Sequence, residues 1–180
     1  QNYYANRSFY SLNKDNFGQL VDLLDGRKDL EAKILRTPLD PVQTFYDDPL
    51  RIMRVIRFSA QLGFSIDPSV YQAVFQVVDR LEIISVERIS EEFFKLMGAA
   101  QPSIGLHLLK ETRILKVILP ELDRLDIQDY EEHGSHHKNV WEHTLKVLDR
   151  VAEQSGDLAL RLAALFHDVG KFPTREFREG

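Results

Sequence analysis

Two aspartate-proline pairs, with a glycine between them, set the first limit on how this chain folds. Asp48-Pro49 and Asp67-Pro68 each place a capping side chain ahead of a proline. Proline at the first helical position forfeits no hydrogen bond, and the aspartate accepts from the free N–H groups of the first turn. Gly63 supplies a stop signal between them. This punctuation predicts one helix from Asp48 to about Leu62 and a second from Asp67 to about Leu81.

The same logic extends along the chain. Ser85 caps a helix from Val86 to about Ala99, with Ile89, Phe93, Leu96 and Met97 at the helical period. Pro102 opens another, with Ile104, Leu108 and Leu109 expected to face inward. A short helix from Ile114 to Leu119 stops before Pro120. Two more cover Val140–Gln154 and Asp157–His167, separated by Ser155-Gly156. The N-terminal part reads differently. Phe17 to Leu24 is a short apolar stretch with strand character, Gly26 ends it, and Arg27 to Lys33 forms a helical turn or two. Thr37-Pro38-Leu39-Asp40-Pro41 reads as loop, because each proline biases its predecessor away from helix. The expected fold class is all-α, mainly helical, with an acidic boundary at residues 120–135.

Composition narrows the functional classes. The chain has 180 residues and 43 % hydrophobic residues, enough for a real core. No run approaches the length of an apolar membrane span, and no basic-then-apolar leader is visible, so no membrane association and a cytoplasmic location are expected. Without cysteine there are no disulfides, thiolate metal sites or cysteine nucleophiles. The net charge of −5 argues against a wholly basic surface, so RNA binding requires a local one.

One such locality stands out. Arg51, Arg54 and Arg57 recur every third residue from the start of a helix, drifting about 60° per step around its surface. Helix N-termini favour anions, and Asp48 lies on the same side as Arg51. A carboxylate beside a guanidinium can read a base. Cytosine and adenine each show an exocyclic amine next to an unprotonated ring nitrogen. The carboxylate accepts from the amine and the arginine donates to the nitrogen. Guanine and uracil show the reverse order and are refused. Arg54 and Arg57 then hold phosphates or stabilise the pair. The plain alternative is a helix cap at Asp48 followed by a solvated arginine face.

The run Phe45-Tyr46-Asp47-Asp48-Pro49-Leu50-Arg51-Ile52-Met53-Arg54-Val55-Ile56-Arg57-Phe58 resembles the nucleotide-recognition motif of bacterial-type tRNA nucleotidyltransferases (CCA-adding enzymes) and their poly(A) polymerase relatives, with Asp47 in place of the usual glutamate. Leu20 to Gly26 is similar to the hinge-like motif that precedes it. Gln61-Leu62-Gly63-Phe64-Ser65-Ile66 follows as the family has it. Glu87-Arg88-Ile89-Ser90, with Glu91, Glu92 and Lys95, is similar to a later helix motif, where a Glu87–Arg88 ion pair is expected. The resemblance covers residues 12–120. It implies transfer of C and A from CTP and ATP to the tRNA 3′ end, with Asp48, Arg51, Arg54 and Arg57 binding the nucleotide. The family's catalytic aspartates, which bind Mg²⁺ in the head domain, are not in this chain. Arg7 is a weak further contact in a divergent Ala5-Asn6-Arg7-Ser8-Phe9 segment.

A second constellation lies near the end. His167-Asp168 closes an apolar helix, and two antiparallel helices would bring His143 to it. Imidazole nitrogen plus carboxylate suits a divalent metal. His137 to Thr144 and Leu162 to Lys171 resemble the opening of an HD-superfamily domain, which implies Ni²⁺, Mn²⁺ or Mg²⁺ at His143, His167 and Asp168, completed by a later aspartate not present here. His133, His136 and His137 read as a solvated loop cluster. The expected organisation is the end of a nucleotidyltransferase head at 1–35, a helical nucleotide-recognition and tRNA-binding domain at 36–125, and the start of an HD domain at 126–180. The rival readings are a poly(A) polymerase, a metal-dependent HD phosphohydrolase with a helical accessory region, and a helical RNA-binding scaffold without catalysis.

Overall fold

The computed structural model describes residues 8–22, 24–126, 128–129 and 138–170. It is mainly helical, as the punctuation predicts. Strands β1 (Ser8–Tyr10) and β2 (Leu20–Asp22) pair antiparallel around a 3-10 turn at Lys14–Asn16. Helix α1 (Gly26–Glu31) leads to β3 (Ile34–Leu35), then α2 (Pro41–Asp47) and α3 (Leu50–Leu62). Strand β4 (Ser65–Ile66) precedes α4 (Pro68–Val77), which runs on as a 3-10 segment, Val78–Ile83. There follow α5 (Val86–Met97), α6 (Pro102–Glu111), α7 (Ile114–Ile118) and α8 (Pro120–Asp123). After the short pair β5 (Gln128–Asp129) and β6 (Lys138–Asn139) come α9 (Val140–Gln154) and α10 (Leu158–Phe166).

Capping explains several starts. Asp40, Asp67, Asn139 and Asp157 each accept from a backbone N–H of the first turn. The loop reading of 37–41 holds for residues 37–40, but Asp40 caps a helix, α2, that the sequence reading did not foresee and that begins at Pro41. Two other expected caps do not form. The α3 start has no side-chain capping bond, and neither does Ser85. The strand foreseen from Phe17 shrinks to Leu20–Asp22, and Phe17 is exposed. Gly63 ends α3 in the left-handed region, at φ 65°.

Helix α3 is the hub, packing on α2, α5 and α6, while α4 lies along α2. Its buried face is Leu50, Ile52, Met53, Val55, Ile56, Ser59 and Ala60. Helix α6 comes very close to α5. A β-carbon at Gly105 would sit 2.7 Å from Leu96 Cδ1. In α6 the inward residues are Gly105, Leu106 and Leu109. Leu108 is half-buried and Ile104 is exposed, a correction to the expected inward set. The parallel β3–β4 pair ties the segment before α2 to the start of α4. Arg36 reinforces it, reaching Asp29 at 2.7 Å and Asp67 at 3.0 Å.

Helices α9 and α10 pack on each other and onto α6 and α5 respectively, so the apolar core runs continuously from Leu35 to Leu165. Two polar links reinforce the contact. The Ser103 amide and hydroxyl donate to Asp149 at 3.1 and 2.6 Å. Arg161, only 6 % exposed, donates to four carbonyls: Met97 at 2.6 Å, Ala99 at 2.8 Å, Ser155 at 2.9 Å and Ala152 at 3.0 Å. These belong to the ends of α5 and α9, where unsatisfied C=O groups concentrate negative partial charge.

Candidate functional site

Asp48 interrupts the chain between two helices. Its backbone is extended (φ −149°, ψ 93°), so α2 ends at Asp47 and α3 starts afresh at Leu50. Freed from capping, its carboxylate meets two arginines. Arg51 Nε lies 3.7 Å from Oδ2, and Arg88 Nη2, from the first turn of α5, donates to Oδ1 at 3.4 Å. Arg51 Nη1 also donates to the Thr44 carbonyl at 3.1 Å, which anchors its guanidinium against the last turn of α2. The Asp48 and Arg51 side chains remain 26 % and 35 % exposed, so both can meet a ligand. The expected Glu87–Arg88 pair is not among the ion pairs of the described residues. Arg88 crosses to Asp48 instead, because the first turn of α5 faces the α2–α3 break.

The next arginines along α3 have a different environment. Glu92 on α5 is 3 % exposed and takes both of them, Arg54 Nε at 3.3 Å on Oε1 and Arg57 Nε at 2.8 Å on Oε2. Lys95 Nζ stands 3.7 Å from Glu92 Oε1 and 2.6 Å from Glu91 Oε1. That hydrogen bond and charge hold the exposed Glu91 carboxyl below its ordinary range. Arg57 also donates to Gln61 at 2.8 Å, and its guanidinium lies 4.1 Å from the Phe58 ring centre. The arginine stripe therefore divides. Arg51 borders open surface, whereas Arg54 and Arg57 clamp α3 to α5 through one buried carboxylate. Sequence reasoning missed Glu92 as the anchor. No local signal could have found it, since the spacing of the arginines does not tell which of them turn toward a neighbouring helix.

The C-terminal cluster assembles as the sequence predicts. One ligand atom from each of His143, His167 and Asp168 lies within 4.8 Å of the other two. The imidazoles of His143 and His167 are 5.6 Å apart between centres, and His167 Nε2 is 3.3 Å from Asp168 Oδ2. His167 Nδ1 sits 2.7 Å from the Ala164 carbonyl, which can only accept, so Nδ1 donates there and Nε2 is the ring nitrogen turned to the cluster. Ligands about 2.0–2.2 Å from a common ion stand at most about 4.4 Å apart, so the three groups fit a metal after a small inward movement. Arg7, His133, His136 and His137 lie outside the described residues.

Comparison with known proteins relates two segments of the chain to described families. The family described as the probable RNA and SrmB-binding site of polymerase A matches residues 63–125, and the HD domain matches 140–179. The multifunctional CCA protein of Vibrio cholerae serotype O1 is 37 % identical over 163 residues, covering 88 % of this chain and 40 % of that protein. The chain thus spans about two-fifths of the length of the curated relatives it matches. The CCA-adding enzyme of Bacillus stearothermophilus in complex with CTP superposes with a TM-score of 0.60 at 28 % identity, over 85 % of this chain and 35 % of that one. A tRNA nucleotidyltransferase complexed with a primer tRNA and an incoming ATP analog gives 0.69 at 25 % identity, over 98 % of this chain and 52 % of that one. These matches relate the chain to the family of CCA-adding tRNA nucleotidyltransferases and poly(A) polymerases, over the helical segment 63–125 and the opening of an HD domain.

Proposed function

We propose that this chain is the base-selecting and RNA-contacting part of a tRNA nucleotidyltransferase that adds C and A from CTP and ATP to the tRNA 3′ end. In this reading residues 1–35 close the catalytic head, 36–125 read the nucleotide and hold tRNA, and 126–180 open the HD domain. Nucleotidyl transfer itself would use Mg²⁺ on carboxylates of the head.

The observation that carries the reading is the Asp48–Arg51 pair at the α3 start, 3.7 Å apart and open on one side. A carboxylate offers about four acceptor positions, and Arg88 and Arg51 use only part of them. Asp48 therefore keeps capacity for the exocyclic amine of C or A, while Arg51 donates to the adjacent ring nitrogen. GTP and UTP would set a carbonyl acceptor against the Asp48 carboxylate and a ring N–H donor against the Arg51 guanidinium, the kind of mismatch that a polar site rejects strongly. Arg54 and Arg57 act behind this pair, by fixing α3 on Glu92. The test is incorporation by the full-length protein on tRNA lacking its terminal CCA. Arg51→Ala should lose CTP and ATP incorporation and relax discrimination against GTP and UTP. Unchanged discrimination would remove the role given to Arg51. A product of A residues alone from the wild type would favour the poly(A) polymerase alternative.

The His143–His167–Asp168 cluster favours a second activity in the same protein, metal-dependent hydrolysis of phosphate esters by the HD domain. His143 Nδ1 or Nε2, His167 Nε2 and an Asp168 oxygen would hold a divalent ion such as Ni²⁺, Mn²⁺ or Mg²⁺, which would supply Lewis-acid polarisation of the ester. Ni²⁺ or Mn²⁺ binding measured by calorimetry should fall at least tenfold in His167→Ala. Undiminished affinity would dismiss the site.

A further inference from the structure

Tyr46 stands on the last turn of α2, two positions before Asp48, and is 52 % exposed. A ring so open is ordinarily free to turn. Here Arg80, from the 3-10 segment between α4 and α5, lies across one face, with Cζ 3.7 Å from the ring centre. That cation–π contact holds the ring in place on one side only. Arg80 itself is unusual among the arginines of this surface. Arg36, Arg54, Arg57 and Arg88 each face a carboxylate. Arg80 has no ion-pair partner among the described residues, and its buried Nε has no hydrogen bond. Arg80 as a whole is half-buried, so its unmatched positive charge is open to a bound anion.

Position adds chemistry to this. Tyr46 and Arg80 join the end of α2 to the segment leading into α5. Asp48, two residues on from Tyr46, is tied to α5 itself through Arg88. The open aromatic face and the unmatched guanidinium are therefore tied to the same α2–α3 junction as the carboxylate assigned to base reading. Arg80 also falls within the segment that matches the RNA-binding family.

We propose that Tyr46 and Arg80 form a stacking platform for one unpaired nucleobase of the RNA being extended, with Arg80 taking a neighbouring phosphate. Every base has a π-face, so stacking on tyrosine tolerates any sequence, and the guanidinium adds a phosphate contact that depends on salt. The proposal rests on the reading above, that this region handles an RNA end beside Asp48 and Arg51.

The test uses the full-length protein and a tRNA lacking CCA, with 2-aminopurine as its unpaired 3′ nucleotide. Wild type should quench the fluorophore on binding. Tyr46→Ala should abolish the quench and weaken RNA binding by about five- to a hundredfold. Tyr46→Phe keeps the ring and should behave as wild type, which separates stacking from misfolding. Arg80→Ala should weaken binding and reduce the slope of affinity against salt by about one. Equal RNA affinity and quenching in Tyr46→Ala and wild type would overturn the platform alone. A wild type that binds no RNA would overturn both the platform and the nucleotidyltransferase reading. Loss in Tyr46→Phe as large as in Tyr46→Ala would assign the effect to the hydroxyl and overturn stacking.

Discussion

Arg161→Met is the substitution whose consequence the structure defines most sharply. It keeps most of the side-chain length and removes five donors from a site that is 6 % exposed. Four carbonyls lose their partner. The bonds to Met97 and Ala99 are fully buried, and stranding each acceptor costs about 1–3 kcal/mol. The bonds to Ser155 and Ala152 are half-buried, so water partly replaces them at about 0.5–1.5 kcal/mol each. Removing a buried cation offsets some of the loss, since its desolvation is no longer required. The net expectation is about 3–5 kcal/mol. At about 2–4 °C per kcal/mol for a chain of this size, the melting temperature falls by about 6–20 °C. Urea unfolding followed by far-ultraviolet circular dichroism gives the free energy. Arg161→Lys, which brings three donors on a compact ammonium, should recover part of the loss. A change below about 1 kcal/mol in Arg161→Met would refute the idea that this guanidinium joins α5, α9 and α10.

Other outcomes follow from the same geometry. Glu92→Ala leaves Arg57 and Arg54 facing each other's charge with no carboxylate between them, and should cost about 3–5 kcal/mol in chemical denaturation. Asp67 is held below the ordinary carboxylate range by the Ser69 hydroxyl first, then by the Ser69 amide and Arg36. Its folded value is the lower one, so its contribution is complete above the unfolded value of about 4 and disappears as pH falls through the folded value. Asp67→Asn should therefore narrow the stability gap to wild type below about pH 4 and show it fully at neutral pH, measured as urea midpoints against pH. Gly105→Ala forces a methyl to 2.7 Å from Leu96 Cδ1 and 2.9 Å from Cγ. The overpacking costs about 1–3 kcal/mol, against a gain in helix propensity of about 1 kcal/mol, so thermal unfolding should move down.

Much of this arrangement was legible because local chemistry decided it. Asp67-Pro68 and Asp157 start helices by their own side chains, Gly63 stops one, and the His167-Asp168 doublet closes an apolar helix that must turn back on its neighbour. The misses occur where a distant partner decided. Asp48 sits before a proline and should cap α3, but Arg51 and Arg88 draw its carboxylate into ion pairs. Arg88 comes from 40 residues away, beyond the reach of any periodicity. Arg54 and Arg57 have the spacing of a solvated stripe, and only the packing of α5 on α3 reveals Glu92 behind them. Arg161 resembles any polar residue of an amphipathic helix until the ends of α5 and α9 converge on it. Helix α2 was missed for the opposite reason. Its start, Asp40-Pro41, carries the same signal as the other two pairs, but Pro38 just before it made the stretch resemble a loop.

The relation between the two matched segments bears on how the chain can be divided. A cut after residue 126 falls within the acidic stretch and separates the segment matched at 63–125 from the HD match, yet it runs through shared packing. The Trp141 amide donates to the Leu125 carbonyl at 3.1 Å, Lys110 lies 5.0 Å from the centre of the Trp141 ring, and Asp149 holds the start of α6 through Ser103. Val140, Trp141, Leu145, Leu148 and Leu165 are all buried in the one core. Removing α9 and α10 uncovers the faces of α5 and α6 that they cover and leaves the carbonyls of Met97 and Ala99 without Arg161. A fragment of residues 1–126 should consequently unfold at lower urea than the whole chain and should associate through the newly exposed apolar patch. Equal urea midpoints, with a monomeric fragment by light scattering, would mean that the two segments fold independently and that the contacts across residues 103–161 contribute nothing to stability.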